Sequence, residues 1–220
     1  MALKAVLFDL DGTLLDTAPD FILSVNCLRE RHGQPPLADE TIRAEVSNGA
    51  RALTRLASGL ADDDPALEPL RLELLAIYSE LLGQHSQLFP GMADSLAWLE
   101  ARGLAWGIVT NKPSQYTDPL LQRLALPFRP SAVVCPDHVG RSKPDPAPLL
   151  LACQHCGCEP TEAIYLGDHV RDIEAGRAAG MPTAACDWGY IGPAEDVASW
   201  DATHRISAPA DIVGLVKKLM

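Results

Sequence analysis

The sequence predicts an α/β protein: a Rossmann-like, mostly parallel sheet with helices on both faces, plus an inserted small α-helical cap. From residue 90 onward, short apolar runs alternate with stretches of helical periodicity, a pattern typical of parallel sheets covered on both faces. Between residues 18 and 88, apolar residues keep a helical spacing and no convincing strand pattern occurs. We therefore expect a Rossmann-like core of residues 1–16 and 89–220, and a cap of residues 17–88 positioned as a lid.

The elements follow from the same periodicities. A first strand ends at Phe8, where an apolar run stops at an acidic, glycine-containing turn. Further strands are predicted at 105–110, 132–135, 163–167 and 182–186, with a weak one near 204–206. Core helices are predicted over 92–102, 116–124, 146–156 and 170–179, and from 209 onward. Cap helices are predicted over 18–32, 37–46, 50–60 and 65–82, with turn-forming residues between them.

Composition bounds the function. Hydrophobic residues make up 47% of 220 residues, enough for a packed core. The formal net charge is −11 and no Lys/Arg cluster occurs, which makes nucleic acid and anionic membrane surfaces poor partners. No apolar run approaches the roughly 18 residues of a membrane span, and the first apolar run is too short for a signal peptide. We expect a cytoplasmic protein, with the number of subunits left open.

Three of the six cysteines invite a zinc interpretation, because Cys153, Cys156 and Cys158 flank His155. However, Cys153 continues a helical pattern, and no second Cys/His pair follows at the spacing of zinc fingers. Reduced thiols are the better prediction.

The end of the first strand presents two carboxylates. Side chains alternate along extended chain, so Asp9 and Asp11 point to the same side, about 6.6 Å apart along the backbone. Gly12 then permits a turn that a residue with a Cβ would resist. One carboxylate could attack while the other moves protons. The alternative interpretation is a simple Asp-Gly turn in which Asp9 is a cap.

Three other strand ends are also polar. Thr110 and Asn111 could cradle phosphate oxygens, although they are also ordinary turn residues. Lys143 precedes a helix, where a cation is unusual, yet an isolated Lys could simply be solvated. Asp168 and Asp172 have the same-face helical spacing, but acids at a helix N-terminus are also common.

Together these strand ends predict one charged site. The carboxyl ends of parallel strands meet at one sheet edge, where such sheets bind ligands. Two like charges about 4 Å apart cost roughly 4 kcal/mol at an effective dielectric of 20, so a carboxylate cluster needs compensation. All-oxygen ligands with a phosphorylated substrate indicate Mg²⁺, and Lys143 would offset the charge of an incoming phosphoryl group.

The motif set resembles the haloacid dehalogenase superfamily of phosphatases. Four segments of the chain look like its four motifs, in the same order and on the same kinds of element. They are Asp9–Thr13, Thr110, Lys143 and the pair Asp168 and Asp172. Within the superfamily, the chain is similar to the phosphoglycolate phosphatase branch. A still narrower likeness, to phosphatases of N-acetylmuramic acid 6-phosphate, is supported by residues 16–21, 47–52, 135–139 and 189–191.

The resemblance implies a role for each motif residue. Asp9 would attack phosphorus and form an aspartyl-phosphate, and Asp11 would protonate the leaving alkoxide and then deprotonate water. Thr110 and Lys143 would hold the phosphoryl oxygens. The implied Mg²⁺ ligands are Asp9, the Asp11 backbone carbonyl and Asp168, with Asp172 supporting them from behind.

The substrate is expected to be a small anionic phosphomonoester. The resemblance implies N-acetylmuramic acid 6-phosphate, from peptidoglycan recycling, with 2-phosphoglycolate as the alternative. Both carry a carboxylate, which an Arg can bind bidentately. The candidate substrate-binding residues are Thr13, Asn111 and Arg51, the last in a polar cap turn that could dip into the cleft.

Three other classes of protein share part of this motif pattern. A signalling receiver also uses an acceptor Asp, Mg²⁺, Thr and Lys, but its acceptor normally lies mid-domain and no helical block is inserted. A dehalogenase of this fold would lack the second carboxylate, which Asp11 supplies. A phosphomutase stays open, since its bisphosphate product would separate it from a phosphatase.

Overall fold

A computed structural model describes residues 2–220. The strands are β1 (Ala5–Phe8), β2 (Leu15–Asp16), β3 (Gln87–Leu88), β4 (Ala105–Val109), β5 (Ala132–Val134), β6 (Ala163–Gly167), β7 (Thr183–Cys186) and β8 (His204–Ile206). Six of them form a sheet in the order β5-β4-β1-β6-β7-β8, in which neighbouring strands are parallel. The expected parallel sheet is confirmed.

The helices alternate with these strands. They are α1 (Ala18–Arg31), α2 (Asp39–Arg43), α3 (Gly49–Ser58), α4 (Leu67–Leu81), α5 (Met92–Ala101), α6 (Ser114–Leu124), α7 (Pro136–Val139), α8 (Ala147–Cys156), α9 (Val170–Ala178) and α10 (Asp211–Leu219). Short 3₁₀ helices occur at Val46–Asn48, Pro160–Glu162 and Val197–Trp200. In the part of the chain that the structure describes, no helix combines the length and the apolarity that crossing a bilayer requires.

The central strand β1 shows that both faces of the sheet are covered. All four of its residues are buried. Val6 and Phe8 belong to one apolar cluster, whereas Ala5 and Leu7 belong to a second that includes Leu149 of α8. Because side chains alternate across a strand, each face of the sheet packs on its own layer. This arrangement brings the carboxyl end of β1 to the middle of the sheet edge.

Helices α1 to α4 lie between β2 and β3, which pair antiparallel as a short ribbon. The expectation of no strand between residues 18 and 88 is wrong at β3. Two residues are too few to show a strand pattern, and β3 forms because β2 supplies its partner. The predicted helix over 37–46 is also shorter, since α2 ends at Arg43 and a separate 3₁₀ turn follows.

The cysteine cluster lies at the end of α8. Cys153 is buried inside the helix, Cys156 ends it, and the backbone N–H of Cys158 bonds to the carbonyl of Cys153 at 3.1 Å. The cysteines are free. Within residues 2–220, the side chains grouped closely enough to hold a metal ion together are carboxylates elsewhere.

Candidate active site

Asp9 lies directly after β1, in the middle of the sheet edge. Its Oδ1 accepts hydrogen bonds from the Leu10 backbone N–H at 2.7 Å and from Lys143 Nζ at 2.8 Å. The next turn depends on Gly12, which has φ +86°. A Cβ at that position would lie 2.2 Å from Oδ2 of Asp168, so the close approach of the two strand ends requires glycine.

Lys143 is the positive centre of the site and is almost fully buried. Its Nζ lies 2.8 Å from Asp9, 2.7 Å from Asp172 and 2.8 Å from the Tyr165 hydroxyl. It also donates to the Val109 carbonyl at 3.1 Å. A buried ammonium is stable only when paired and hydrogen-bonded, so this lysine is held in place by these four partners rather than solvated.

The turn between β6 and α9 presents Asp168 and Asp172 differently. Asp172 accepts from the His169 backbone N–H at 3.1 Å, so it acts in part as a helix cap. Asp168 accepts instead from the Thr13 hydroxyl at 2.9 Å and from the Tyr190 backbone N–H at 2.9 Å. Helix capping therefore explains one hydrogen bond of the Asp172 carboxylate, but it does not explain the orientation of Asp168.

Three carboxylates form a candidate metal centre. Asp9, Asp168 and Asp172 each offer an oxygen within 4.8 Å of the others. Burial raises the pKa of Asp9 to about 7 against the opposing effect of Lys143. Burial together with the charges of Asp9 and Asp172 raises the pKa of Asp168 to about 8. One lysine does not balance these charges, and an oxygen-only donor set suits Mg²⁺.

Asp11 points to a different partner from Asp9. Its Oδ1 accepts from Lys112 Nζ at 2.7 Å and from the Thr17 hydroxyl at 2.6 Å. The sequence interpretation gave Lys112 no role, although it follows Thr110 by two residues in the same turn. The closeness of Lys112 to Thr110 in the sequence is the signal that could have identified it as a site residue.

Two of the expected substrate-binding residues, Asn111 and Thr13, have structural partners, and Asn111 also lines the cavity described below. Both ends of the Asn111 amide bond the Lys143 backbone, which accepts at 3.0 Å and donates at 2.8 Å. Asn111 therefore fixes the Lys143 loop. Thr13 is fully buried and donates to Asp168, because the Gly12 turn directs it toward β6. Thr110 lines the cavity as expected, and its hydroxyl accepts from the Lys112 backbone N–H at 3.0 Å.

A cavity of about 320 Å³ lies above these residues, between the core and helices α1 to α4. Asp9, Asp11, Thr110 and Lys143 are part of its lining. Apolar and aromatic cap and core side chains make up much of the rest: Phe21, Val46, Leu75, Tyr78 and Tyr116.

The expectation that Arg51 reaches the cleft is not met in the structure. Arg51 donates from Nε to Asp62 at 2.8 Å, also bonds the Asp62 carbonyl, and is half exposed outside the cavity lining. Asp62, in the loop after α3, offers it a nearby carboxylate. Arg71 and Arg171 line the cavity instead. Arg71 could have been found from its i, i+4, i+7 spacing with Leu75 and Tyr78, which puts all three on one helix face.

Arg171 and Ser47 link helix α9 to the 3₁₀ helix Val46–Asn48 beside the carboxylates. Arg171 Nη2 donates to the Ser47 carbonyl at 2.7 Å, and the Ser47 hydroxyl donates to Asp168 at 3.3 Å. The 3₁₀ turn of the cap therefore closes one side of the cavity.

Comparisons with known proteins agree with this geometry. A family model described as haloacid dehalogenase-like hydrolase matches residues 6–186. The chain is 48% identical over 220 residues to an N-acetylmuramic acid 6-phosphate phosphatase of Pseudomonas aeruginosa, covering 100% of this chain and 97% of that protein. It is 42% identical to a phosphoglycolate phosphatase of Xanthomonas campestris pv. campestris, covering 95% and 94%. The crystal structure of a predicted phosphoglycolate phosphatase from Haemophilus somnus superposes with a TM-score of 0.83 at 27% identity, covering 97% of each chain.

Proposed function

This chain belongs to the haloacid dehalogenase-like hydrolase family, and we propose that it is a Mg²⁺-dependent phosphatase of N-acetylmuramic acid 6-phosphate. The observation that supports this most directly is the meeting of Asp9, Asp11 and Lys143 at the floor of one cavity. The reaction would serve peptidoglycan recycling. A cytoplasmic location forms part of the proposal and is in keeping with free cysteines.

The proposed reaction has two displacements at phosphorus. A carboxylate oxygen of Asp9 attacks, forming a P–O bond to the enzyme while the ester P–O bond breaks. Asp11 gives its proton to the departing sugar alkoxide. Water then attacks the aspartyl-phosphate, Asp11 takes the proton from the water, and phosphate leaves as Asp9 is regenerated. Thr110 and Lys143 hold the phosphoryl oxygens throughout.

The carboxylate cluster fits a resident Mg²⁺. Asp9, Asp168 and the Asp11 backbone carbonyl would be the ligands, and Asp172 would support them while it anchors Lys143. When bound, the ion supplies positive charge next to the phosphoryl group. The buried Asp9 and Asp168 would then be ionised at neutral pH, which a nucleophilic carboxylate requires.

The size of the cavity favours N-acetylmuramic acid 6-phosphate over 2-phosphoglycolate as the substrate. A volume of about 320 Å³ lies within the range of pockets that enclose drug-sized ligands. A molecule as small as 2-phosphoglycolate would leave most of it to water. The aromatic side chains of the cap offer an apolar wall for a sugar ring. Sequence identity supports the same substrate. Two N-acetylmuramic acid 6-phosphate phosphatases are 48% and 45% identical to this chain, whereas a phosphoglycolate phosphatase is 42% identical to it.

Arg71 is proposed to bind the substrate's carboxylate, which in N-acetylmuramic acid 6-phosphate belongs to the lactyl group. It lies in the cavity lining and makes a bidentate pair with Glu68, at 2.9 and 2.6 Å. Glu68 is half exposed, so a substrate carboxylate could replace it at small cost, since exposed ion pairs contribute little. The division into a core of residues 1–16 and 89–220 and a cap of residues 17–88 belongs to this proposal, because the cap supplies this contact.

The test is phosphate release from four compounds: N-acetylmuramic acid 6-phosphate, 2-phosphoglycolate, N-acetylglucosamine 6-phosphate and glucose 6-phosphate. We expect the highest kcat/KM for the first. A preference for 2-phosphoglycolate would move the substrate assignment to that acid, and a preference for an uncharged sugar's phosphate would overturn the carboxylate interpretation. Formation of a bisphosphate without phosphate release would indicate a phosphomutase.

A matched pair of variants isolates the carboxylate contact. Arg71→Ala should lower kcat/KM about 10- to 100-fold for N-acetylmuramic acid 6-phosphate, the usual effect of one charged hydrogen bond. It should leave N-acetylglucosamine 6-phosphate nearly unchanged. Arg51→Ala is the control, because Arg51 also pairs with an acid on the cap but lies outside the cavity lining. Equal losses in both variants would reject the Arg71 assignment.

A further inference from the structure

We propose that Lys112 is a positioning residue, which aligns the Asp11 carboxylate for proton transfer to the leaving group when the cap lies over it. The inference rests on the proposed function, because it needs Asp11 as the proton donor. It names a lysine that lies outside the four motifs described above.

The contact between Lys112 and Asp11 is short and protected from water. The two side chains meet at 2.7 Å, and that of Lys112 is 6% exposed. The lysine backbone is fixed on both sides, since its N–H donates to the Thr110 hydroxyl at 3.0 Å and its carbonyl accepts from Thr117 at 3.2 Å. An ammonium held from a rigid strand end can orient a neighbouring carboxylate.

The geometry at Asp11 leaves one carboxylate oxygen for chemistry. Lys112 and the Thr17 hydroxyl both bond Oδ1, at 2.7 and 2.6 Å. Two donors on one oxygen restrict rotation of the carboxyl group. Oδ2 is then the oxygen that they leave to face the substrate's leaving group.

The cap completes the surroundings of Lys112. Phe21 of α1 and Tyr78 of α4 stack on one another at 4.1 Å between ring centroids. Lys112 Nζ lies 5.0 Å from the first ring centroid and 5.2 Å from the second, within the range of cation–π attraction. Lys112 belongs to the core, so moving the cap away would expose its ammonium to water. The alignment of Asp11 therefore depends on the closed cap.

A leaving-group comparison tests this. Without Lys112, proton transfer should suffer while attack by Asp9 should not. Lys112→Met should lower kcat/KM, which reports only the steps up to departure of the leaving group, about 10²-fold for N-acetylmuramic acid 6-phosphate, the low end of general-acid effects. The alkoxide that leaves from this substrate needs a proton. For p-nitrophenyl phosphate, whose phenolate leaves without one, the loss should stay within about threefold.

Two further measurements keep the inference falsifiable. Lys112→Arg keeps the charge and should recover part of the kcat/KM lost on the sugar phosphate. Phe21→Leu removes half of the aromatic pair and should give a smaller loss with the same dependence on leaving group. Equal losses on both substrates in Lys112→Met would overturn the inference, and if that variant does not fold, Lys112→Gln takes its place. A wild-type enzyme that hydrolyses neither substrate would instead reject the proposed function.

Discussion

At the residue scale, the different partners of Asp9 and Asp11 support the separate roles proposed for them. Asp9 is held by Lys143 and lies beside Asp168 and Asp172 in the candidate metal centre, whereas Asp11 is held by Lys112 and Thr17. The first environment suits attack on phosphorus, and the second suits proton transfer, since Asp11 stands apart from the cluster of three carboxylates.

Substituting the two acids should therefore have different effects. Asp9→Asn should leave essentially no turnover on any phosphomonoester, because an amide cannot form the acyl-phosphate, while the isosteric side chain preserves the fold. Asp11→Asn should lower kcat about 10²- to 10⁴-fold. Phosphate release measures both effects, and circular dichroism melts serve as the folding control. Near-wild-type turnover in Asp9→Asn would mean that another group attacks.

Individual residues were predictable where strand ends determine their position. Asp9 and Asp168 directly follow the buried strands β1 and β6, so parallel topology alone brings them to one edge. Arg51 was predicted wrongly, because the pattern could not show that Asp62 would pair with it. Lys112 was missed for a related reason: a lysine in a turn looks solvated until its aromatic neighbours from distant helices are known.

At the element scale, the entry and exit of the helical segment are tied together by one buried carboxylate. Asp20, in the first turn of α1, accepts from the backbone N–H groups of Gly83 and His85 at 2.7 and 2.8 Å. It also accepts from the Ser86 hydroxyl at 2.5 Å. The ribbon of β2 and β3 lies next to this junction. Asp20 therefore sets where the cap helices stand over the core.

Removing that carboxylate should loosen the junction. Asp20→Ala leaves buried donors without a partner, so the free energy of unfolding should fall by about 1–3 kcal/mol for each donor that water cannot reach. Hydrogen exchange should quicken across residues 83–88. Asp62→Ala is the control: this exposed acid pairs with Arg51, and its loss should change stability by less than about 0.5 kcal/mol. Unchanged exchange in Asp20→Ala would show that the junction is held by other contacts.

Long elements could be predicted from the sequence and short ones could not. The periodicity of α1, α4 and α9 extends over two or more turns, so the apolar face is visible. The β2–β3 ribbon has two residues per strand, and its existence depends on where the intervening helices return the chain.

At the scale of the whole molecule, the cavity opposes the net charge of the chain. The formal charge is −11, yet the cavity lining has four cations, Arg71, Lys112, Lys143 and Arg171, against two carboxylates, Asp9 and Asp11. Composition alone could disfavour polyanionic partners, but it could not show this local reversal. The reversal admits a small anionic phosphomonoester while the rest of the surface repels larger polyanions.

The same balance of charge predicts how metal and pH act on stability. Without a cation, the raised pKa values of Asp9, about 7, and Asp168, about 8, mean that the folded state holds more protons than the unfolded chain. Their contribution to stability is thus present at low pH and is lost as pH rises through about 7 to 8. Mg²⁺ should reverse that loss, because it binds the ionised carboxylates of the folded state.

Thermal melts with and without Mg²⁺, at pH 6 and pH 8, measure this linkage. At about 100 times its dissociation constant, Mg²⁺ should stabilise the fold by about 2.7 kcal/mol, a rise in Tm of about 5–10 °C for a chain of this size. The rise should be larger at pH 8, since at pH 6 protons compete for Asp9 and Asp168. Asp168→Asn should abolish most of it, and excess chelator should stop phosphate release from the wild type. A Tm that does not respond to Mg²⁺ at either pH, or full turnover in chelator, would show that the three-carboxylate cluster is not a metal site.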